Sequence, residues 1–205
     1  MKPRYWTLAT RELSARDPVM GKLIAQHKGL ALGSRGDAFQ TLARAIVGQQ
    51  ISVKAAQSVW NRFAAAHESV APPVIAGSTI ETLRACGLSG QKSAYILDLA
   101  ARFHDGRLQP AGWTRLDDEA LITELIQVKG IGRWTAEMFM IFNLTRPDVY
   151  PIGDLGLQKA IALHYNRGRK ATPERLQRIG KTWAPWRSVA TWYMWRSLDP
   201  APVEY

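Results

Sequence analysis

The chain has 205 residues, 46% of them hydrophobic, which suits one domain or two small lobes and supplies enough apolar content for a core. A net charge of +10 and a pI near 10.0 favour a polyanionic partner. The single cysteine, Cys86, excludes an internal disulfide, a cysteine-based zinc finger and a four-cysteine iron–sulfur cluster, and no apolar run approaches the roughly 20 residues of a spanning helix. With no apolar stretch behind Met1-Lys2-Pro3-Arg4, a soluble, intracellular (cytoplasmic, nucleoid or nuclear) protein with no membrane partner is expected. Cys86 is then expected to be a core thiol in a reducing compartment.

Helical periodicity dominates and predicts an all-α fold. Residues 5–8 read as a short extended piece. Helices are predicted near 18–28, 38–47, 53–66, 80–85, 91–104, 118–127, 133–144, 155–165, 173–184 and 186–198. Breaks containing Gly or Pro fall at 29–33, 71–73, 105–106 and 146–148. The loop 145–153 is expected to be a seam between two lobes, residues 38–148 and residues 1–37 with 149–205, placing Asp154 at a cleft.

The hairpin is the most informative segment. Leu121, Ile122, Leu125 and Ile126 recur at helical spacing after Asp117-Asp118-Glu119, whose anions suit a helix N-terminus. Trp134, Met138, Ile141 and Phe142 then mark a second helix. Between them stand Val128-Lys129-Gly130-Ile131-Gly132-Arg133-Trp134-Thr135. Gly130 and Gly132 remove the Cβ atoms that would keep a phosphate away, and N–H groups at the second helix's start point outward. Lys129, Arg133 and the Thr135 hydroxyl add to such a grip. An ordinary C-cap and tight turn would also use this Gly-x-Gly.

Asp154 precedes an apolar helical pattern, Leu155, Leu157, Ile161 and Leu163, and is a favoured N-cap type. The helix dipole and free N–H groups hold such a carboxylate in its charged form. A fixed anion of this kind suits a reaction that develops positive charge on a sugar as a base departs. Trp183, Trp186, Trp192 and Trp195 crowd the C-terminal region. They read either as core or as a π-rich wall for a flipped, electron-poor base. Ile46-Val47-Gly48-Gln49-Gln50-Ile51-Ser52 reads either as a helix end or as a turn whose side chain fills the hole an extruded base leaves. In residues 165–187, Arg167, Arg169, Lys170, Arg175, Arg178, Lys181 and Arg187 face one acid, Glu174, forming either a solvated surface or a DNA contact.

These motifs resemble the helix-hairpin-helix DNA glycosylase superfamily, and within it the alkylbase, 3-methyladenine DNA glycosylase II, family. The likeness covers roughly residues 38 to 198. It rests on Leu42 to Phe63, on Gly87-Leu88-Ser89-Gly90-Gln91-Lys92-Ser93-Ala94-Tyr95-Ile96, on the hairpin with Asp154, and on Pro185-Trp186-Arg187-Ser188 through Trp195. The resemblance implies two helical lobes without a full N-terminal β domain. It implies excision of alkylated purines (3-methyladenine, 7-methylguanine, with ethenoadenine or hypoxanthine as further candidates) from damaged double-stranded DNA.

Carried over by residue, the resemblance makes Asp154 the catalytic carboxylate, Trp195 an aromatic wall of the base pocket, and Gln50 the wedge. Trp192, sharing a helix face with Trp195, joins the expected pocket. Backbone amides from Gly130 to Trp134 would hold phosphate, and the carbonyls of Ile126, Val128 and Ile131 a structural Na+ or K+. No cofactor is expected for catalysis. Trp134 occupies the hairpin position where bifunctional relatives carry a Schiff-base lysine, so a hydrolase leaving an uncut abasic strand is expected. Lys129 replaces a hairpin proline, while Met138 and Leu155 replace pocket tyrosines of some members, leaving a less aromatic base pocket. A monomer would suffice. On the residues alone, a non-enzymatic DNA-binding protein and a lyase using another lysine are the alternatives.

Overall fold

The computed structural model describes residues 2–34 and 36–198. Among them it shows no strand. The elements are α1 (Trp6–Arg16), α2 (Pro18–Gln26), α3 (Ala38–Gly48), α4 (Val53–Ala65), α5 (Pro72–Ala76), α6 (Ile80–Ala85), α7 (Gly90–His104), a 3-10 helix (Pro110–Arg115), α8 (Asp118–Leu125), α9 (Arg133–Phe142), α10 (Leu155–Tyr165), α11 (Pro173–Trp183) and α12 (Arg187–Leu198). No helix among the described residues is long and apolar enough to cross a membrane.

Most helices begin where a short polar side chain can cap them. Asp17, Asp37, Ser52, Thr79, Ser89, Asp117, Asp154 and Thr172 each accept a backbone N–H two or three residues on. Two local expectations are corrected. Residues 5–8 are not extended: Tyr5 caps α1, because Trp6, Ala9 and Leu13 make a buried stripe at helical spacing. The prolines at 72 and 73 do not break the chain but start α5, since a proline at the first helical turn forfeits no intrahelical bond.

The described residues divide into two compact units, one formed by residues 2–34 with 140–198, the other by residues 36–139. The boundary falls inside α9 rather than in the loop 145–153, because the buried Met140 and Ile141 belong with the first unit's core.

In the first unit α12 is buried from Ser188 to Met194, with α1, α2, α10 and α11 packed on it. Its buried stretch mixes Val189, Ala190, Trp192, Tyr193 and Met194 with the small polar Ser188 and Thr191. Asp17, nearly buried, is fully employed: Oδ1 accepts the N–H groups of Val19 and Met20, and Oδ2 accepts Tyr165 Oη at 2.7 Å and Trp183 Nε1 at 3.2 Å. In the second unit α7 packs on α3, α5 and α6 around Phe39, Leu42, Phe63, Ile96 and Leu99. Cys86 is buried and free, and burial pushes its thiol pKa up, as an inert core thiol requires.

Candidate active site and nucleic-acid interface

In the first unit the loop 145–153 brings the chain to Asp154 along a well-anchored path. Arg187 grips Asp148 through two parallel bonds of 2.8 Å, the Ser188 hydroxyl accepts the Val149 N–H at 2.9 Å, and Gln158 Nε2 donates to the Ile152 carbonyl at 2.8 Å. The Tyr150 hydroxyl donates to the Leu176 carbonyl at 2.7 Å, and its ring lies against Gly180, where a Cβ would collide with it. Glycine at 180 is therefore dictated by packing.

Asp154 caps α10, with Oδ1 accepting the Leu157 N–H at 2.6 Å. The same oxygen accepts the indole Nε1–H of Trp195 at 2.8 Å. Both donors fix the orientation of the carboxylate. The Trp195 ring, partly exposed, stacks on Phe142 with centroids 5.7 Å apart and planes within 16°. Beside this bonded pair lies Gly156, whose added Cβ would stand 3.2 Å from Asp154 Oδ1 and 3.3 Å from Trp195 Cδ1. A side chain there would press the pair apart. The sequence motifs place Phe142 only as an apolar position of the second hairpin helix and do not single out Gly156.

Of the expected pocket residues, Leu155 is 79% exposed beside Asp154. Met138 is half-buried on α9 in the second unit. Trp192 is corrected: it lies 8% exposed in the first unit's core, edge-on to Trp6 at 5.3 Å and beneath the Arg196 guanidinium at 5.1 Å. Its turn of α12 faces the helices packed on it, whereas Trp195, three residues on, is near the helix end. Trp183 is wholly buried, and Trp186 stacks on Tyr5 and donates to Glu12 at 2.7 Å. Only one tryptophan of the four thus meets the carboxylate.

In the second unit the hairpin joins α8 to α9. Ile126 leaves the buried face and is exposed, because α8 ends at Leu125. Gly130 has φ +83°, and a Cβ on it would run into the Tyr95 ring. Glycine is required there twice over. Gly132 has nothing within 4 Å of a would-be Cβ, so the backbone there faces open space. Lys129 is exposed, and Trp134 is 44% exposed. Arg133, expected to add to the grip, is instead held by two carboxylates. Glu119 pairs with it at 2.9 Å and through a second, shorter contact, and Glu137 at 3.2 Å. Thr135 is buried rather than offered at the surface, since the face it shares with Ala136 and Phe139 packs inward.

At the end of α3 the chain turns through Gln50, which is exposed and has φ 58°. A non-glycine residue in this left-handed region is strained, and such strain clusters at functional positions. Of the basic residues between 165 and 187, Arg187 is committed to Asp148 and Arg175 donates to the Tyr165 carbonyl at 2.6 Å. Arg167, Arg169, Lys170, Arg178 and Lys181 are exposed. Arg178 and Lys181, on α11, lie opposite the buried Leu176, Gly180 and Trp183.

A family model described as HhH-GPD superfamily base excision DNA repair protein matches residues 43–185. DNA-3-methyladenine glycosylase 1 of Schizosaccharomyces pombe is 32% identical over 180 residues, covering 86% of this chain and 79% of that protein. The solved S. pombe 3-methyladenine DNA glycosylase in complex with abasic DNA matches with a TM-score of 0.80 at 31% identity, over 92% of this chain and 95% of the other. A DNA-3-methyladenine glycosidase from Bacillus halodurans matches with a TM-score of 0.85 at 33% identity, over 93% and 89%. The chain belongs to the HhH-GPD superfamily of base excision DNA repair proteins, in the branch of the DNA-3-methyladenine glycosylases.

Proposed function

We propose that the protein, acting as a monomer, flips N-alkylated purines such as 3-methyladenine and 7-methylguanine out of duplex DNA and hydrolyses their N-glycosidic bond, leaving an abasic site in an uncut strand. The observation that carries this reading is the Asp154 carboxylate, oriented by the Leu157 N–H and the Trp195 indole N–H, both of which donate to Oδ1. N-alkylation leaves the purine cationic and already a good leaving group, so no strong general acid is needed. The bond to C1′ breaks with its electron pair going to the base, and positive charge develops on the sugar. Asp154 stabilises that charge and orients the water that adds to C1′. The Trp195 ring, backed by Phe142, offers a π-face to an electron-poor base.

The hairpin supplies the sequence-independent grip: its outward amides and Lys129 meet a phosphate, with the open side of Gly132 allowing close approach. The same segment suits a monovalent cation on the carbonyls of Ile126, Val128 and Ile131. Among the described residues no hydrogen bond falls on the carbonyls of Ile126 and Ile131, and that of Val128 accepts only the Ile131 N–H at 3.1 Å. Gln50 fills the hole left by the extruded base. Trp134 provides no amine for a Schiff base, so the chemistry is hydrolytic.

The test is base release from duplexes carrying 3-methyladenine, 7-methylguanine, ethenoadenine or hypoxanthine, scored with and without subsequent alkali. Asp154→Asn is expected to slow release by about a hundredfold or more while keeping a competent helix cap. Strand cleavage without alkali, or undiminished release by the variant, would refute the mechanism.

A further inference from the structure

Helix α7 begins in the motif Gly87 to Ile96, to which neither the carboxylate nor the hairpin chemistry assigns a role. Lys92, Tyr95 and Asp98 recur three apart and so share one face of it. Lys92 Nζ donates to the Val47 carbonyl at 2.8 Å and to the Gln49 carbonyl at 2.6 Å. The ammonium therefore sits on the C-terminal end of α3, where the helix leaves unbonded carbonyls and negative potential. Shielding from water lowers the Lys92 pKa, in keeping with a side chain turned to the protein rather than to solvent.

One turn along, the Tyr95 ring lies against Gly130, and one turn further the Asp98 carboxylate accepts the Lys129 N–H at 3.0 Å while Arg102 steadies it at 3.0 Å. The circuit closes through Gln49, whose side-chain amide donates to the Gly130 carbonyl at 2.8 Å. The turn bearing Gln50 and the phosphate-gripping hairpin, 81 residues apart in sequence between Gln49 and Gly130, are thus bolted to one helix and to each other.

We propose that α7 is a splint, with Lys92 and Gln49 as positioning residues, that fixes the strained Gln50 turn relative to the hairpin. Seating a phosphate on the hairpin and driving Gln50 into the duplex are then one rigid act. The inference rests on the reading of the chain as a base-flipping glycosylase. Without the two Lys92 bonds the Gln50 turn relaxes toward an unstrained backbone, and the side chain no longer stands where the vacated space opens.

The test compares binding to an intact duplex and to one containing a tetrahydrofuran abasic analogue, for wild type, Lys92→Met, Lys92→Arg and Gln49→Ala. Hydrogen bonds from a charged donor suggest that Lys92→Met loses about tenfold of the preference for the abasic analogue, and that Lys92→Arg, which keeps donors and charge, recovers most of it. For base release, kcat of Lys92→Met falls most when the lesion is stably paired and least when it lies opposite a gap, a dependence that general destabilisation would not produce. A wild-type preference retained by Lys92→Met, or an equal loss against every opposing base, overturns the proposal. Should Lys92→Met fail to fold, Gln49→Ala, which removes a single amide, decides by the same two criteria. Amide exchange of residues 48–52 is a readout independent of glycosylase chemistry. Exchange as slow in Lys92→Met or Gln49→Ala as in wild type overturns the splint even if no base is released, whereas faster exchange in these variants, with a wild-type protein inert on every lesion, condemns the glycosylase reading alone.

Discussion

Trp195 and Asp154 stand 41 residues apart in the chain, yet the indole Nε1 of one donates to Oδ1 of the other at 2.8 Å. The N-cap bond from Leu157 falls on the same oxygen. The carboxylate is thus oriented by one neighbour on its own helix and one from α12. Trp195 serves both as aromatic surface and as the donor that sets the anion's orientation.

Trp195→Phe separates these two duties. The phenyl ring keeps a stacking partner for Phe142, but the donor is lost and Asp154 is less firmly held. Base release is expected to fall by about tenfold, the value of one hydrogen bond to a charged group. Single-turnover release at saturating enzyme measures it, and an unchanged rate would show that the indole N–H does not matter to the chemistry.

Gly156→Ala crowds the same pair from the other side, with its Cβ 3.2 Å from the carboxylate oxygen. The space is short by only a few tenths of an ångström, so the fold survives and the Tm changes little. The rate of base release should nevertheless drop severalfold, because a displaced anion is a poorer match to charge at C1′. Thermal melts and single-turnover rates on the same preparation give both quantities.

The two hairpin glycines respond differently to alanine. Gly130→Ala meets a left-handed backbone and the Tyr95 ring, so the fold is destabilised by about 1–2 kcal/mol from the dihedral alone, with the ring clash added. At Gly132 there is open space, so Gly132→Ala leaves the Tm in place and instead weakens duplex binding by keeping a phosphate at arm's length. Denaturant unfolding and fluorescence anisotropy with duplex DNA distinguish the two.

Arg133 is held by Glu119 and Glu137, and its pKa is raised chiefly by the hydrogen bonds it donates to Glu119. Glu119→Gln weakens that hold. Duplex affinity should rise, and the plot of log K against log salt should steepen by about one unit as a further phosphate contact forms. The pair is largely exposed, so the Tm should scarcely move.

Alkaline stability carries the signature of buried phenols. Burial pushes the pKa values of Tyr5 and Tyr150 up to about 12 from 10.0, the effect on Tyr150 being partly offset by Arg187. Below pH 10 both folded and unfolded chains keep these protons and the full stabilisation is present. As pH rises from 10 towards 12 the unfolded chain ionises first, so stability is lost across that window. The Tm should fall steeply between pH 10 and about 12, less so in Tyr5→Phe. A flat Tm over that range would contradict the burial of these hydroxyls.

Much of the fold was legible in local patterns, because capping residues and apolar periodicity act over a few residues. The acidic start at Asp117 and the helices expected near 91–104 and 173–184 are kept by the structure, which caps them with Asp117, Ser89 and Thr172. The errors arose where a short window misled. Residues 5–8 alternate too briefly to betray the stripe of Trp6, Ala9 and Leu13, and Pro72-Pro73 signals either a break or a first turn. Asp154 and Gly130 were legible as chemistry, since a capping carboxylate and a backbone turn that excludes Cβ are demands of the residue itself. Gly156, Phe142 and Lys92 were not, as nothing about a glycine, a phenylalanine or a lysine announces its partner.

The sequence by itself determined the helical class, the hairpin and the carboxylate at a helix start, because each follows from interactions within a single turn or two of chain. Tertiary structure alone decided which of four tryptophans reaches Asp154, that Arg133 is held by two acids, and that Lys92 clamps the Gln50 turn. Periodicity tells which side chains share a face. It does not tell what stands opposite that face, and contacts spanning 41 or 81 residues depend on how separate helices pack.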